Sequence, residues 1–395
     1  MARLKVLSVI THFAVGGATE TVLTNCRLAD PERFETAILS GRTAHDEEDL
    51  VSSARNMGVQ VHILDSLQRA MRPDRDYRAY HDLVRWFHEN HWDVVHTNGS
   101  KAGILGRLAA AKAGVPAIVH TVFGWGHHDH MSRATRQTIV ALERRAARVT
   151  DRLITVSHAN RAKGLADNIG TPDQYSVIYN AIDVPRFRDV PVTRREMRAK
   201  LGIAPDAPVV GTVSRLAPQK APMDFLTVAE LVRKSIPEVK FVFVGGGPMQ
   251  PEFDAAVRAR KLDDTILFLG YRNDVPELLR AFDVFLLTSL WEGLPLVIPQ
   301  ASCAAIPSVA TAVDGTPEVV VDNETGFLAS PHDCAAMAER VIQLLHDQEL
   351  RERLGQTALE RVYPAFCQHE MARQTEAVYE ECYARATGQR ALSVK

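Results

Sequence analysis

The feature that most constrains this chain is a repeated alternation of short apolar runs with longer helical patterns. The runs are rich in valine, isoleucine and leucine, which is typical of parallel strands buried by helices on both faces. We predict a first series of strands at Leu4–Ile10, Thr36–Leu39, Val59–Ile63, Val94–His96, Ala117–Thr121, Leu153–Val156 and Ser176–Ile178, and a second at Val209–Val213, Lys240–Val244, Thr265–Leu269, Val284–Leu287 and Ser308–Ala310. The pattern therefore predicts an α/β protein with two doubly wound sheets.

The length of the chain also favours two domains. It has 395 residues, more than a single hydrophobic core usually supports. The proline-rich stretch Val184–Pro208 lies between the two series of strands and is typical of an interdomain connection. We predict a first domain at residues 1–190, a second at 191–366, and a helical tail at 367–395 that could belong to either.

Composition excludes several functional classes. Lysine and arginine total 46 against 48 aspartate and glutamate, so the chain lacks the positive surplus of a nucleic-acid binder. Its five cysteines show no Cys-x-x-Cys spacing, which predicts neither a disulfide framework nor a thiolate zinc site and favours a cytoplasmic location. No run approaches ~18 apolar residues, so we predict no membrane span.

Glycines follow the first predicted strand, where a helix should begin. Gly16 and Gly17 would let the backbone approach an anion, and the first N–H groups of a helix bind phosphate. A tight turn with close helix packing is the alternative explanation. The segment is not G-x-G-x-x-G, so a dinucleotide dehydrogenase is disfavoured.

Two cations follow the first strand of the second series. Arg215 and Lys220 would lie just beyond its carboxyl end and could clamp a diphosphate, since arginine gives forked hydrogen bonds and lysine a mobile charge. Solvated surface cations are the alternative. Gly245–Pro248 and Gly270–Asp274 follow later strands and are predicted to reach the same edge.

Several motifs, in this order, resemble the family 4 retaining glycosyltransferases of GT-B fold. They are Arg215–Lys220, Gly270–Asp274, Trp291–Pro295, Asp314–Glu318 and Glu324–Phe327, preceded by Val15–Gly17, Val119–Gly126 and Asn180–Asp183. The resemblance covers most of the chain. It implies two Rossmann-like domains facing a central cleft, with the tail helix crossing back to the first domain. It also implies transfer of a hexose or aminosugar from a nucleotide-diphosphate sugar to a hydroxyl acceptor, without cofactor or metal.

The resemblance further implies roles for individual residues. The donor would be bound by Gly16, Gly17, Arg215, Lys220, Tyr271, Arg272, Glu292, Gly293, Leu294 and Gln300, and Phe123 would lie near the acceptor. Independently of the resemblance, His96 and Asn98 at a strand-to-helix transition and His127 in the histidine-rich loop are acceptor candidates from their position in the sequence. Arg215, Lys220, Glu292 and His120 are the candidate catalytic residues.

Two positions depart from the family pattern. Gln300 stands where relatives carry a glutamate that accepts from the ribose hydroxyls, which raises the hypothesis of a 2'-deoxyribose donor such as a thymidine diphosphate sugar. Phe123 stands where relatives often carry a histidine near the reacting centre. Either His120, His127 or His128 substitutes, the donor sugar lacks the hydroxyl that the histidine would hold, or activity is impaired.

Those departures leave alternatives open. One is a donor-binding partner protein that has lost its chemistry, and another is a nucleotide-sugar 2-epimerase, although no acid/base set for elimination is visible. Gly126–His130 could suggest a metal site, but an acceptor-lining loop is favoured because adjacent residues rarely converge on one ion.

A basic, helix-like stretch spans Ser132–Arg152. It could rest peripherally on the inner face of an anionic membrane, but a solvated, salt-bridged face is favoured because aromatic anchors are absent from it. Nothing in the sequence indicates an oligomeric state.

Overall fold

The computed structural model describes residues 3–14, 16–42, 50–70, 72–127 and 131–388. Its strands are β1 Leu4–Ile10, β2 Phe34–Ser40, β3 Gln60–Ile63, β4 Val94–Asn98, β5 Ala117–Val122, β6 Arg152–Thr155, β7 Tyr175–Val177, β8 Val209–Val213, β9 Lys240–Val244, β10 Ile266–Gly270, β11 Val284–Leu287, β12 Ser308–Thr311 and β13 Gly326–Ala329. All twelve predicted strands are therefore present, with ends shifted by at most two residues.

The helices connect these strands. They are α1 Gly17–Leu28, α2 Val51–Asn56, α3 Pro73–Glu89, α4 Ser100–Ala113, α5 Arg133–Ala147, α6 His158–Ala166, α7 Val184–Arg188, α8 Arg194–Lys200, α9 Pro222–Ser235, α10 Gln250–Ala259, α11 Val275–Leu279, α12 Val297–Cys303, α13 Thr316–Val319, α14 Cys334–His346, α15 Gln348–Val362 and α16 Gln368–Thr387.

The strands form two parallel sheets in two compact units. The first sheet has the order β3-β2-β1-β4-β5-β6-β7, and the second has the order β10-β9-β8-β11-β12-β13. In each sheet the chain first adds strands on one side of the first strand, β1 or β8, and then crosses over to add the remaining strands on its other side. This is the doubly wound arrangement. The α/β prediction is confirmed.

The units divide the chain after Ala181 and again after Cys367. The sequence places the first division near residue 190. The structure assigns α7 to the second unit, because this helix buries Val184 and Phe187 and packs against α11 and α12. The proline-rich stretch therefore lies within the second unit.

Helix α16 belongs to the first unit. Its Met371, Val378 and Tyr379 pack in one apolar cluster with Val6 of β1 and Val119 of β5. The local pattern leaves open which domain receives this helix, whereas the family resemblance implies the first domain, and the helix packs on the first sheet.

The core of the second unit is rich in phenylalanine. Phe225 meets Phe243 edge to face, with ring centres 5.3 Å apart, and Phe243 packs on Phe253. Gly211 of β8 leaves room for Phe282, because a Cβ atom there would lie 2.1 Å from the ring. This packing holds β8 and its C-terminal loop in place.

Candidate functional site

The loops that follow the strands of the second sheet are joined by backbone hydrogen bonds. Leu216 N–H donates to the Gly246 carbonyl (2.9 Å), which links the loops after β8 and β9. Leu290 N–H donates to the Gln219 carbonyl (2.7 Å), which links the loops after β8 and β11. The predicted donor residues from separate motifs thus share one edge of the sheet.

Lys220 and Glu292 form an ion pair at this edge. The same carboxylate oxygen, Oε1 of Glu292, also accepts a hydrogen bond from the Ser289 hydroxyl (2.6 Å). Glu292 is 7% exposed, so its charge is held by these partners in a largely dry environment. The structure brings together two side chains that were predicted from separate motifs.

The backbone around Lys220 is braced by the loop after β11. The Thr288 hydroxyl hydrogen-bonds the carbonyls of Lys220 (2.8 Å) and Ala221 (3.2 Å). Gln219 Nε2 donates to the Trp291 carbonyl (2.8 Å). Ala221 has a φ of 41°, in the left-handed region, so the turn that presents Lys220 depends on this bracing.

Asp314 was given no separate role from the sequence, although it lies in one of the matching motifs. Its Oδ2 accepts a hydrogen bond from the Glu292 N–H (2.8 Å). Asp314 has a φ of 41°, which is unusual for a residue with a side chain. It therefore positions the backbone that carries Glu292.

Arg215 is exposed just beyond β8. None of the described residues forms a hydrogen bond or ion pair with its guanidinium. The side chain is thus available to an anion at the same edge as Lys220.

Tyr271 lies over the backbone of the glycine loop after β9. A Cβ atom on Gly246 would come within 2.7 Å of the ring, so only glycine allows this approach. Tyr271 is 76% exposed, and its ring offers a surface on which a base could stack.

Arg272, the next residue, is paired with Asp274. Its Nε lies 2.7 Å from Oδ1 of Asp274, and this pairing lowers the pKa of that carboxyl.

The remaining predicted donor residues divide between the two units. Leu294 is buried, whereas Gly293 and Gln300 are half-buried near and on α12. Gly16 and Gly17 are exposed at the start of α1 in the first unit, and among the described residues beyond its chain neighbours no atom lies within 4 Å of a Cβ placed on Gly16. Within the described part of the chain, no side chain caps the start of α1, so its first N–H groups are suited to an anion.

The structure does not support a catalytic role for His120 or an acceptor contact for His96. His96 bonds Tyr379 through Nδ1 and Thr121 through Nε2, both at 2.7 Å, and burial lowers its pKa to about 3. His120 is 1% exposed, bonds Thr97 through Nδ1, and has a pKa lowered well below its usual value by burial. Both rings are neutral and internal in this structure.

Two further acceptor candidates are also internal. Asn98 is buried and donates through Nδ2 to the His96 carbonyl (3.0 Å). His127 is fully buried and its Nε2 lies 2.7 Å from Asp167 Oδ2. Phe123 is half-buried and packs on the apolar cluster around Phe13. Helices on both faces of a parallel sheet explain why polar residues near strand ends became internal.

The proposed histidine-rich loop is only partly described, since residues 128–130 lie outside the described residues. In the described part of the chain, no group of three or more histidine, cysteine, aspartate or glutamate side chains is placed to hold a metal ion. Nor does any helix within the described ranges have the length and apolar character needed to cross a membrane.

Two family models match the chain. The model described as "Glycosyltransferase Family 4" matches residues 15–186, and "Glycosyl transferases group 1" matches residues 193–361. The first match covers β2 to β7 and the second covers β8 to β13.

Curated relatives include two enzymes with different acceptors in their names. The UDP-Gal:alpha-D-GlcNAc-diphosphoundecaprenol alpha-1,3-galactosyltransferase of Escherichia coli is 30% identical over 88% of this chain and 90% of its own length. The D-inositol 3-phosphate glycosyltransferase of Streptomyces scabiei (strain 87.22) is 30% identical over 68% of this chain and 63% of its own.

Among solved structures, Anabaena HepE in complex with UDP and glucose has the same fold. The TM-score is 0.82 at 22% identity, over 95% of this chain and 99% of that one. The GT-B architecture predicted from the motifs is confirmed.

Proposed function

The chain belongs to the family 4 glycosyltransferases and is a GT-B enzyme that uses a nucleotide sugar, and from this premise we propose a retaining, metal-independent hexosyltransferase. It moves a hexose or aminosugar to a hydroxyl acceptor. The observation that carries the proposal is the Lys220–Glu292 pair at the same edge of the sheet as the exposed Arg215. The family assignment replaces the 2-epimerase alternative.

The two cations provide the charge that a transferred sugar's leaving group requires. Arg215 offers forked donors to the diphosphate and Lys220 adds a point charge, so fixed cations take the place of a metal ion. Both would stabilise the negative charge that develops as the phosphate departs. Glu292 then accepts hydrogen bonds from the donor sugar's hydroxyls.

The chemical step exchanges one bond at the anomeric carbon for another. The bond to the phosphate oxygen breaks, and the acceptor oxygen bonds to the same face of the sugar. The departing phosphate takes the acceptor's proton, so the step needs no histidine base. This fits the internal, neutral state of His96 and His120.

Uracil is the base that we propose for the donor. The name of the Escherichia coli relative specifies UDP-galactose, and HepE was crystallised with UDP. Gln300 favours a second candidate, a 2'-deoxyribose nucleotide, because an amide is a weaker acceptor for the ribose hydroxyls than a carboxylate.

For the acceptor, we propose a lipid-linked saccharide bound by the first unit, with peripheral contact to the inner membrane face. The Escherichia coli relative acts on a diphosphoundecaprenol-linked sugar. Helix α5 and the residue after it expose Arg133, Arg145 and Arg148, and no described carboxylate pairs with them. Such an arginine-rich face suits an anionic lipid surface.

Ligand-induced stabilisation tests the donor proposal. UDP, GDP, ADP and dTDP are added in turn, and a ligand at 100 times its Kd raises the unfolding free energy by about 2.7 kcal/mol. We expect a selective shift with UDP that Arg215→Ala reduces at the same UDP concentration and that Lys234→Ala, an exposed change on α9, leaves intact. A selective dTDP shift would instead favour the deoxyribose candidate.

Turnover separates an active transferase from a donor-binding partner that has lost its chemistry. The matching UDP-sugar is incubated with and without acceptor preparations, and released UDP is measured. UDP release that is lost in the Glu292→Gln variant supports an active transferase. Selective UDP binding with neither hydrolysis nor transfer would support the inactive partner, the alternative suggested by Phe123 and Gln300.

A further inference from the structure

A cavity of about 790 Å³ lies in the second unit and is unrelated to the loops described above. Its walls come from the segment between α7 and α8, the residues before β8, β11 and β12, and the start of α15. The volume lies within the range of small-molecule sites.

The cavity lies at the opposite edge of the sheet from the donor residues. Pro208 and Asp283, which line it, come directly before β8 and β11. Arg215 and Glu292 follow the same two strands. Because the strands are parallel, residues before them and residues after them occupy opposite edges, so a ligand in the cavity would not occupy the donor site.

Three arginines surround one buried carboxylate in the cavity wall. Asp283 forms ion pairs with Arg194 and with Arg198 (2.7 Å), and Arg351 Nε lies 3.9 Å away. Burial lowers the pKa of Arg198, and although Asp283 raises it, the charges of Arg194 and Arg351 lower it further. One carboxylate cannot neutralise three guanidinium groups.

A fourth arginine adds to this charge. Arg280 donates through Nη2 to the Arg188 carbonyl (2.5 Å), which is a neutral acceptor. The other carboxylates in the wall, Asp206 and Glu352, are exposed to solvent, where their charges are screened. The Arg194 side chain is 48% exposed, so it is accessible to a ligand.

We propose that this cavity binds a small phosphorylated metabolite, with Arg194, Arg280 and Arg351 as its anion ligands. Guanidinium groups match phosphate oxygens in forked pairs, which favours a phosphate over a single-point anion. Val190 and Val192 give the wall an apolar part that would contact the organic portion of the ligand.

Calorimetry with inorganic pyrophosphate as the probe tests the site on the full chain. The Arg215→Ala variant weakens binding at the donor edge, where Lys220 remains, so the cavity substitutions are made in that background and their effect is compared with it. Combining it with Arg194→Gln and Arg280→Gln should weaken the surviving binding by about tenfold or more, since each lost charge-assisted hydrogen bond contributes a factor of this order. Arg195→Gln, on the same helix but outside the cavity wall, is the matched control and should change nothing.

The outcomes are distinct from those of the donor proposal, which UDP binding tests separately. Absence of pyrophosphate binding in Arg215→Ala, or equal binding after the cavity substitutions, would overturn the site. If the combined variant does not fold, amide exchange of the Arg215→Ala protein replaces it. Slower exchange at residues 190–194 and 304–306 on adding pyrophosphate supports the site, and unchanged exchange there overturns it.

Discussion

The ammonium of Lys220 and the carboxylate of Glu292 are paired across 72 residues of sequence. Each follows a different strand, β8 or β11, and these neighbouring parallel strands carry both to one edge of the sheet. The pair keeps two charged groups fixed among loops that largely shield them from water. A donor would meet an arrangement that is already in place, so little reorganisation is needed on binding.

Glu292→Gln should lower kcat by about 100-fold, because a neutral amide neither balances Lys220 nor accepts from a sugar hydroxyl as strongly as a carboxylate. Steady-state transfer kinetics measure the change. Glu324→Gln, an exposed change in the loop before β13, is the control and should retain full activity. Equal kcat in the two variants would contradict the role given to Glu292.

Arg215→Ala should weaken nucleoside diphosphate binding by about tenfold or more with little effect on Tm. The side chain is exposed, so its loss removes a contact to the ligand while the core stays intact. Titration calorimetry and a thermal melt of the same sample provide both values. A lowered Tm with unchanged UDP affinity would assign Arg215 a structural role instead.

Asp314→Ala should reduce kcat more than it raises KM for the donor, because Asp314 holds the backbone of Glu292 and does not touch the ligand in our proposal. Asp314→Asn keeps an oxygen that can accept the Glu292 N–H and should restore much of the rate. If Asp314→Asn is as slow as Asp314→Ala, the carboxylate charge matters and the positioning role is wrong.

The sequence predicted the sheets well because buried parallel strands leave an unambiguous apolar signal. The strand that it missed, β13 (Gly326–Ala329), begins with a glycine directly after a polar turn, and glycine there indicates a continuation of the turn. The structure divides the two units after Ala181, whereas local composition places the boundary near residue 190. The packing of α7 on α11 and α12 decides it, and such contacts are not visible in local composition.

Lys220 and Glu292 were predictable from the sequence, because each lies in a motif that directly follows a strand. It was not predictable where burial decides the role. His96 and His120 are near the end of strands and were expected to reach ligands, but helices cover both faces of the first sheet and Tyr379 of α16 bonds His96 from 283 residues away. The bracing role of Asp314 likewise depends on a tertiary hydrogen bond.

Stability should fall as the pH decreases below about 6.5, in part because of His96. Its folded pKa of about 3 lies below the ordinary value of 6.5, so the unfolded chain binds more protons and is favoured in acid. The contribution is about 1.4 kcal/mol per pH unit between these values. His96→Gln should be less stable than the parent at pH 7 and lose less stability between pH 6.5 and 4.5 in denaturant titrations. Parallel curves for both proteins would contradict this assignment.

Liposome flotation tests the membrane contact. Vesicles containing an anionic lipid should carry the protein upward at low salt, and the bound fraction should fall as salt screens the arginine-rich face of α5. Arg145→Glu with Arg148→Glu reverses two exposed charges and should abolish flotation while leaving UDP binding unchanged, since neither residue lies in the second unit. Arg258→Glu, a single charge reversal on α10 of the second unit, is the control. Flotation that persists in the α5 variant, or that is the same with neutral vesicles, would show that α5 is a solvated face.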